Sequence, residues 1–353
     1  MHDPSNSSGN PKVEKDALAP AATAPPWRNY LAAFLGSLAA MFALFYGALL
    51  GLSATGNLPP PALTNSLCID EKFASMRQHR PEAPNLLVVG SSVAWRHFDG
   101  DTLTRASPEA APFNGGMCGR SINQTGYATE WLLGHFDTVR DVLLIAAPQD
   151  FNSCPASSTA FFDPGDVDDY IFGRATPWLH YTRYFSLVSL VRNALSIAGK
   201  RSGADRIDPL VFDRYGSGPL GGDGVRGSLL YGKVAEADPA CLEALSRLAA
   251  KLRQDGRRFM VVSTPLHPEW RRLHDPAGDY LGRFNTALQT ALAGSGAEYW
   301  DSNSSSSVEA SDFFDAIHLR WAAVPEFTGD LVKAFHLDRG VAGLATAIVR
   351  GGA

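Results

Sequence analysis

Between Tyr30 and Leu52 the chain is almost wholly apolar and carries no charge. A helix needs roughly 20 such residues to cross the hydrocarbon of a bilayer. So long a run without a polar stripe is also a poor fit to a core helix of a small soluble domain. Lys12, Lys15 and Arg28 precede the run, and the next basic residue is Lys72. Basic residues collect on the cytoplasmic side of a spanning helix, so the N-terminus is expected inside and everything after about residue 55 outside. A cleaved signal peptide is the rival reading. Its apolar core would span only about 7–15 residues, and Leu52-Ser53-Ala54 is a mediocre cleavage site, so an uncleaved single-pass anchor is favoured.

Around this anchor the chain divides by composition. Residues 1–28, rich in Ser, Pro, Ala and Gly, are expected to be a disordered cytoplasmic tail, with the anchor at 29–53. Ala54 to Pro61 reads as a stiff spacer opening a lead-in over 54–82, and 341–353 as a C-terminal tail. The segment 83–340 alternates short apolar runs with amphipathic stretches, the signature of α/β architecture. Strands are expected over Asn85–Gly90, over a short second run ending in Pro112-Phe113-Asn114, and over Asp141–Ala147, Arg258–Ser263 and Ala297–Asp301. Helices are expected over Leu242–Gln254 and Tyr280–Leu292. Residues 155–240, with aromatics from Trp178 to Phe185 and a glycine-rich stretch from Tyr215 to Gly232, read as an insertion. A formal charge of −5 supplies no basic surface and argues against nucleic acid as a partner. All four cysteines follow the apolar run, and an even count outside the cytoplasm permits two disulfides. None has zinc-ligand spacing, so no metal site is expected. The acidic stretch Asp163–Asp169 misses calcium-loop spacing and reads as a solvated loop.

Three places can carry chemistry, each near the sheet edge where open parallel sheets build their sites. In Gly90-Ser91-Ser92-Val93 a serine at a strand-to-helix turn can project its hydroxyl above the sheet, although serine is also an ordinary helix cap. In Asp315-Ala-Ile-His318-Leu319 a histidine can take the serine proton while the carboxylate fixes its tautomer. Alone, that pair could merely cap a helix beginning around Trp321. Asn114-Gly-Gly116-Met-Cys-Gly119 and Ala147-Pro148-Gln149-Asp150 offer oxyanion donors, the Gly116 N–H and the Gln149 amide. His267, after the fourth strand, faces the same edge and is a substrate-contact candidate. Trp178 and its neighbouring aromatics can floor a sugar groove or pack in a core.

Taken in order, strand–GSS, strand–NGGxxG, strand–APQD and a late DxxHL resemble the SGNH (GDSL-like) hydrolases over roughly residues 83–335, excluding the insertion. The resemblance implies a three-layer α/β/α flavodoxin-like fold with a central parallel sheet. It implies Ser92 as nucleophile, Asp315 and His318 completing a triad, and Gly116 and Gln149 in the oxyanion hole, with no cofactor. Ser91 stands where that family has aspartate, Ala147 replaces a glycine, and Gln149 replaces asparagine. The GSS serine and Pro-Gln pair look like the DltD branch, whose members carry an N-terminal anchor. Those members work in acyl transfer to envelope polymers beside a membrane-bound O-acyltransferase. The expected function is therefore extracytoplasmic O-acyl transfer, with acetyl the expected group, to a cell-envelope or exopolysaccharide glycan. A periplasmic carbohydrate esterase and a catalytically silent glycan- or acyltransferase-binding scaffold are the alternatives. In the flavodoxin-like order the loops bearing Cys118 and Cys154 flank Ser92, so a Cys118–Cys154 disulfide is expected.

Overall fold

The computed structural model describes residues 26–156, 158–173, 176–221 and 232–339. The tail expected at 341–353, residues 1–25 of the N-terminal tail and 222–231 of the glycine-rich stretch lie outside these residues. The chain forms two compact units, one through Thr55 and one from Gly56 onward. The first contains helix α1 (Pro26–Ala54), starting earlier than expected, with proline in its first turn where no donor is needed. Within Trp27–Ala54 the most apolar 18 residues have a mean hydropathy of 2.0, so the helix is long and apolar enough to span a bilayer.

The second unit is built on five parallel strands in the order β2-β1-β3-β4-β5. It begins with α2 (Leu67–Gln78), β1 (Leu86–Gly90), α3 (Ser92–Arg96), α4 (Gly100–Ala106), β2 (Pro112–Asn114), α5 (Ile122–His135) and β3 (Asp141–Ala146). The insertion carries α6 (Pro164–Ile171), α7 (Trp178–Arg183), α8 (Leu187–Ala194) and α9 (Ile197–Arg201). Then come α10 (Pro239–Gln254), β4 (Arg258–Ser263), α11 (Pro268–His274), α12 (Asp279–Leu292), β5 (Glu298–Asp301), α13 (Ser302–Ser305) and α14 (Val324–Ala334).

The sheet forms because its inner strands are continuous aliphatic runs, which only a sheet covered on both faces can bury. Side chains alternate across it. Leu87, Val89, Val142, Leu144 and Val261 enter one core with α2, α5, α6 and α10. Leu86, Val88, Leu143, Ile145, Met260 and Val262 enter the other with α3, α11 and α14. This is the three-layer α/β arrangement expected from the sequence.

Two expectations are corrected. The disulfides are Cys68–Cys118 and Cys154–Cys241, not Cys118–Cys154. The loops bearing Cys118 and Cys154 follow β2 and β3, and β1 lies between those strands. Two strand spacings come to roughly 9.6 Å, while bridged Cα atoms sit about 4.4–6.8 Å apart. Each cysteine instead meets a helix alongside it, Cys118 on α2 and Cys154 on α10, with Cα separations of 6.4 and 5.3 Å. The acidic stretch Asp163–Asp169 is no solvated loop. Asp163 caps α6 by accepting the Asp166 N–H, Asp166 pairs with Arg183, and Asp168 accepts the Trp131 indole N–H.

Candidate active site

The turn after β1 is forced by its glycine. Gly90 has φ +141°, and a Cβ there would lie 2.2 Å from the Ile145 carbonyl oxygen on β3. No other residue fits that packing without moving the strand pair. The chain then turns into α3 with Ser91 as its buried N-cap and Ser92, part-exposed, as its first helical residue. The two adjacent serines are thereby separated. Ser91 is buried, with its hydroxyl lowering the pKa of the Asp150 carboxyl, which also accepts the Ala147 N–H at 2.9 Å. Burial pushes the Asp150 carboxyl up to about 7 against the lowering effect of those two donors. Ser92 instead has its Oγ 2.9 Å from His318 Nε2.

His318 comes from a loop pinned on every side. Phe313 and Leu319 form an isolated antiparallel bridge, and the Phe314 N–H donates to the His318 carbonyl at 2.7 Å. Within the loop, Asp315 Oδ1 accepts the Ile317 and His318 N–H groups at 3.0 and 2.9 Å. Its Oδ2 lies 2.9 Å from His318 Nδ1. Burial alone would raise the Asp315 carboxyl, but the bond and charge of His318 and the two backbone donors outweigh it and hold it at about 2. An ionised carboxylate on Nδ1 keeps the proton there and leaves Nε2 as the acceptor facing Ser92. Ser92, His318 and Asp315, expected together from sequence, are thus brought into one hydrogen-bonded chain.

A residue that sequence reasoning passed over holds this loop to the sheet. His97, fully buried, accepts the Leu319 N–H on Nε2 at 2.9 Å, and its Nδ1 lies 2.9 Å from Thr264 Oγ1 just beyond β4. Because Nε2 accepts, Nδ1 must carry the proton, which makes this histidine neutral. Burial, with the positive potential of His318 and Arg96, lowers its pKa well below the ordinary value. Nothing local in Trp95-Arg96-His97-Phe98 signals a partner 222 residues downstream.

The oxyanion candidates divide. Gly116 allows its loop to touch α3, since a Cβ there would stand 2.6 Å from the Trp95 nitrogen. Its N–H, however, donates to Asn114 Oδ1 at 2.9 Å, while the flanking Gly115 and Met117 N–H groups bond β1 carbonyls. Asn114 is saturated in turn, its amide donating to Ala94, Trp95 and Ser217. Gln149 is the opposite case. It lies in the short turn Pro148–Phe151 after β3, next to β1, and both its amide atoms are sealed from solvent with no protein partner. A buried amide left open is costly, and a ligand oxygen would satisfy its N–H.

His267 caps α11 through Nδ1, which accepts the Glu269 N–H at 3.0 Å, and its backbone N–H donates to Ala316 within the Asp315–His318 loop. Trp178 lies on α7 against Tyr181, whose hydroxyl donates to the Pro59 carbonyl at 2.7 Å. The structure therefore ties α7 to the spacer through Tyr181, with Trp178 beside it, and joins His267 to the Asp315–His318 loop.

No protein-family model and no curated protein matches the chain. Solved structures are similar at low identity. A crystal structure of TesA is 14% identical over 71% of this chain and 97% of that one, with a TM-score of 0.36. A carbohydrate acetylesterase family member from Sinorhizobium meliloti is 9% identical over 72% and 98%, with a TM-score of 0.33. An inhibitor-bound aryl esterase of M. smegmatis is 13% identical over 72% and 99%, with a TM-score of 0.33.

Proposed function

We propose that the chain is a membrane-anchored serine O-acyltransferase of the extracytoplasmic face, moving an acyl group, acetyl first among them, onto an envelope or exopolysaccharide glycan. The observation that carries this reading is the pair of 2.9 Å contacts from Ser92 Oγ to His318 Nε2 and from His318 Nδ1 to Asp315. Ser92 Oγ attacks the ester or thioester carbonyl carbon as His318 Nε2 takes its proton. The tetrahedral oxyanion is held by the Ser92 N–H and the Gln149 amide, with the Gly116 N–H shared from Asn114. Collapse expels the alcohol or thiol, protonated by His318, and leaves acyl-Ser92. His318 then deprotonates an incoming sugar hydroxyl, which takes the acyl group and frees Ser92. Water in the same position gives the esterase outcome.

Two features support the extracytoplasmic setting. α1 carries no charge after Arg28, and the basic residues nearest it, Lys12, Lys15 and Arg28, all lie at its N-terminal end. All four cysteines are paired, which suits an oxidising compartment. A membrane-bound O-acyltransferase that delivers the acyl group across the bilayer is the partner this arrangement calls for.

Intact-mass spectrometry after treatment with a fluorophosphonate tests the nucleophile. One adduct is expected on the wild type and on Ser91→Ala, and none on Ser92→Ala. An unlabelled, folded wild type would sink the enzyme reading in favour of a binding scaffold. Acyl partitioning between water and an added oligosaccharide then separates esterase from transferase.

A further inference from the structure

Helix α8, Leu187–Ala194, repeats apolar residues at helical spacing, Leu187, Leu190, Val191, Ala194 and then Leu195. Such a stripe ordinarily faces a core. Here it does not, because α8 buries no residue. Leu187 is 60% exposed, Val188 76%, Val191 51% and Leu195 85%. Burial of each of these side chains is favourable, so a contiguous face of them in water needs an occupant.

Its place in the chain says which. The α7–α9 cluster is bound to the segment immediately following α1. The Tyr181 hydroxyl on α7 donates to the Pro59 carbonyl, and Arg201 on α9 pairs with the buried Glu71 at 2.6 Å. Pro59 is only five residues beyond Ala54, the end of α1. Five residues reach roughly 18 Å at full extension, so a bilayer spanned by α1 keeps its surface within that distance of the cluster's tether. An interfacial helix sinks its apolar face about 5–10 Å into the headgroup boundary. Arg192 is exposed on α8, and Trp178 on α7 is an amphipathic aromatic of the kind found at the same depth.

We propose that the apolar face of α8, with Leu195, docks on the lipid surface of the membrane that α1 spans, as an in-plane second contact that fixes the domain's orientation. The proposal rests on the reading of α1 as an anchor. A second copy of the chain is the competing occupant.

The test uses the full chain in vesicles of phosphatidylcholine and phosphatidylglycerol. All four native cysteines are paired, so Val188→Cys and Leu195→Cys each supply one thiol for an environment-sensitive fluorophore, with Glu243→Cys on α10 as the exposed control. Labels at 188 and 195 are expected to be quenched about twofold or more by headgroup-depth lipid nitroxide, and shielded about threefold from aqueous iodide relative to 243. Labels as open to iodide as the control overturn the proposal. Shielding from iodide without lipid quenching assigns the face to a second copy and also overturns it. Alkaline carbonate washing reports α1 separately. A chain that stays with the vesicles while its labels remain open loses the docking face alone, and a chain that washes off loses the anchor and the proposal with it.

Discussion

Asp315 is the side chain whose surroundings define the most about the site. Its carboxylate receives two backbone N–H groups and the imidazole, and its side chain is 2% exposed. The pKa of about 2 lies below the ordinary 3.8, so the folded state binds this proton less readily than the unfolded chain. The stabilisation is therefore complete above about pH 4 and is lost as pH falls toward 2, amounting to about 2 kcal/mol. Asp315→Asn keeps an acceptor for both N–H groups but removes the charge that fixes the His318 tautomer. Turnover of an activated ester is expected to fall about ten-thousandfold, with substrate affinity little changed. In urea the variant should unfold at a lower midpoint at pH 7, and the gap to wild type should narrow below about pH 4 and close only as pH falls toward 2, where the wild-type charge is also lost. An undiminished rate would show that His318 is oriented by its other contacts alone.

Among the elements, the link that the sequence conceals best is the one between α2 and β2. Lys72 on α2 is fully buried, and its ammonium donates to the backbone carbonyls of Asn114 and Gly216. It lies 5.5 and 5.6 Å from the Phe113 and Phe212 ring centroids. Burial pushes its pKa down to about 7, against the raising effect of Asp213. A base depressed from 10.5 contributes most above that pH and loses its contribution as pH falls toward 7, since only the unfolded chain gains the proton easily. Lys72→Met orphans two carbonyls, a loss of about 1–3 kcal/mol each where they stay unsatisfied. Its destabilisation, read from urea midpoints, should be larger at pH 10 than at pH 7, and an equal loss at both would refute the depressed lysine. Short unbroken aliphatic runs made β1, β3 and β4 legible because each strand is buried on both faces. The DxxH spacing made the Asp315–His318 pair legible because its contact closes within one turn. Lys72, His97 and the two disulfides stayed hidden because their partners are set by which strands and helices become neighbours. The exposed face of α8 stayed hidden because an apolar stripe reads identically whether it meets a core or a membrane.

For the molecule as a whole, the disulfides bear on the compartment in which it can hold its fold. Cys68–Cys118 closes 50 residues and joins the lead-in helix α2 to the loop after Asn114-Gly115-Gly116. Cys154–Cys241 closes 87 residues and joins the end of the Gln149 turn to α10, spanning the whole insertion. Loops of these lengths restrict the unfolded chain by about 4 kcal/mol each in the chain-entropy account, a large share of the 5–15 kcal/mol that holds a typical domain together. Both staples end beside the Gly116 and Gln149 loops that flank Ser92, so reduction should loosen those segments before the aliphatic sheet gives way. The full chain reduced in detergent is therefore expected to lose fluorophosphonate labelling at Ser92 at urea concentrations where the oxidised chain still reacts. The far-ultraviolet circular dichroism of the sheet and helices should survive to higher urea than the labelling does. Cys154→Ser/Cys241→Ser should reproduce the early loss of labelling, because its turn adjoins Ser91 through Asp150. If reduced and oxidised chains label and unfold together, the staples are incidental, and the pairing of all four cysteines ceases to argue for a site outside the cytoplasm.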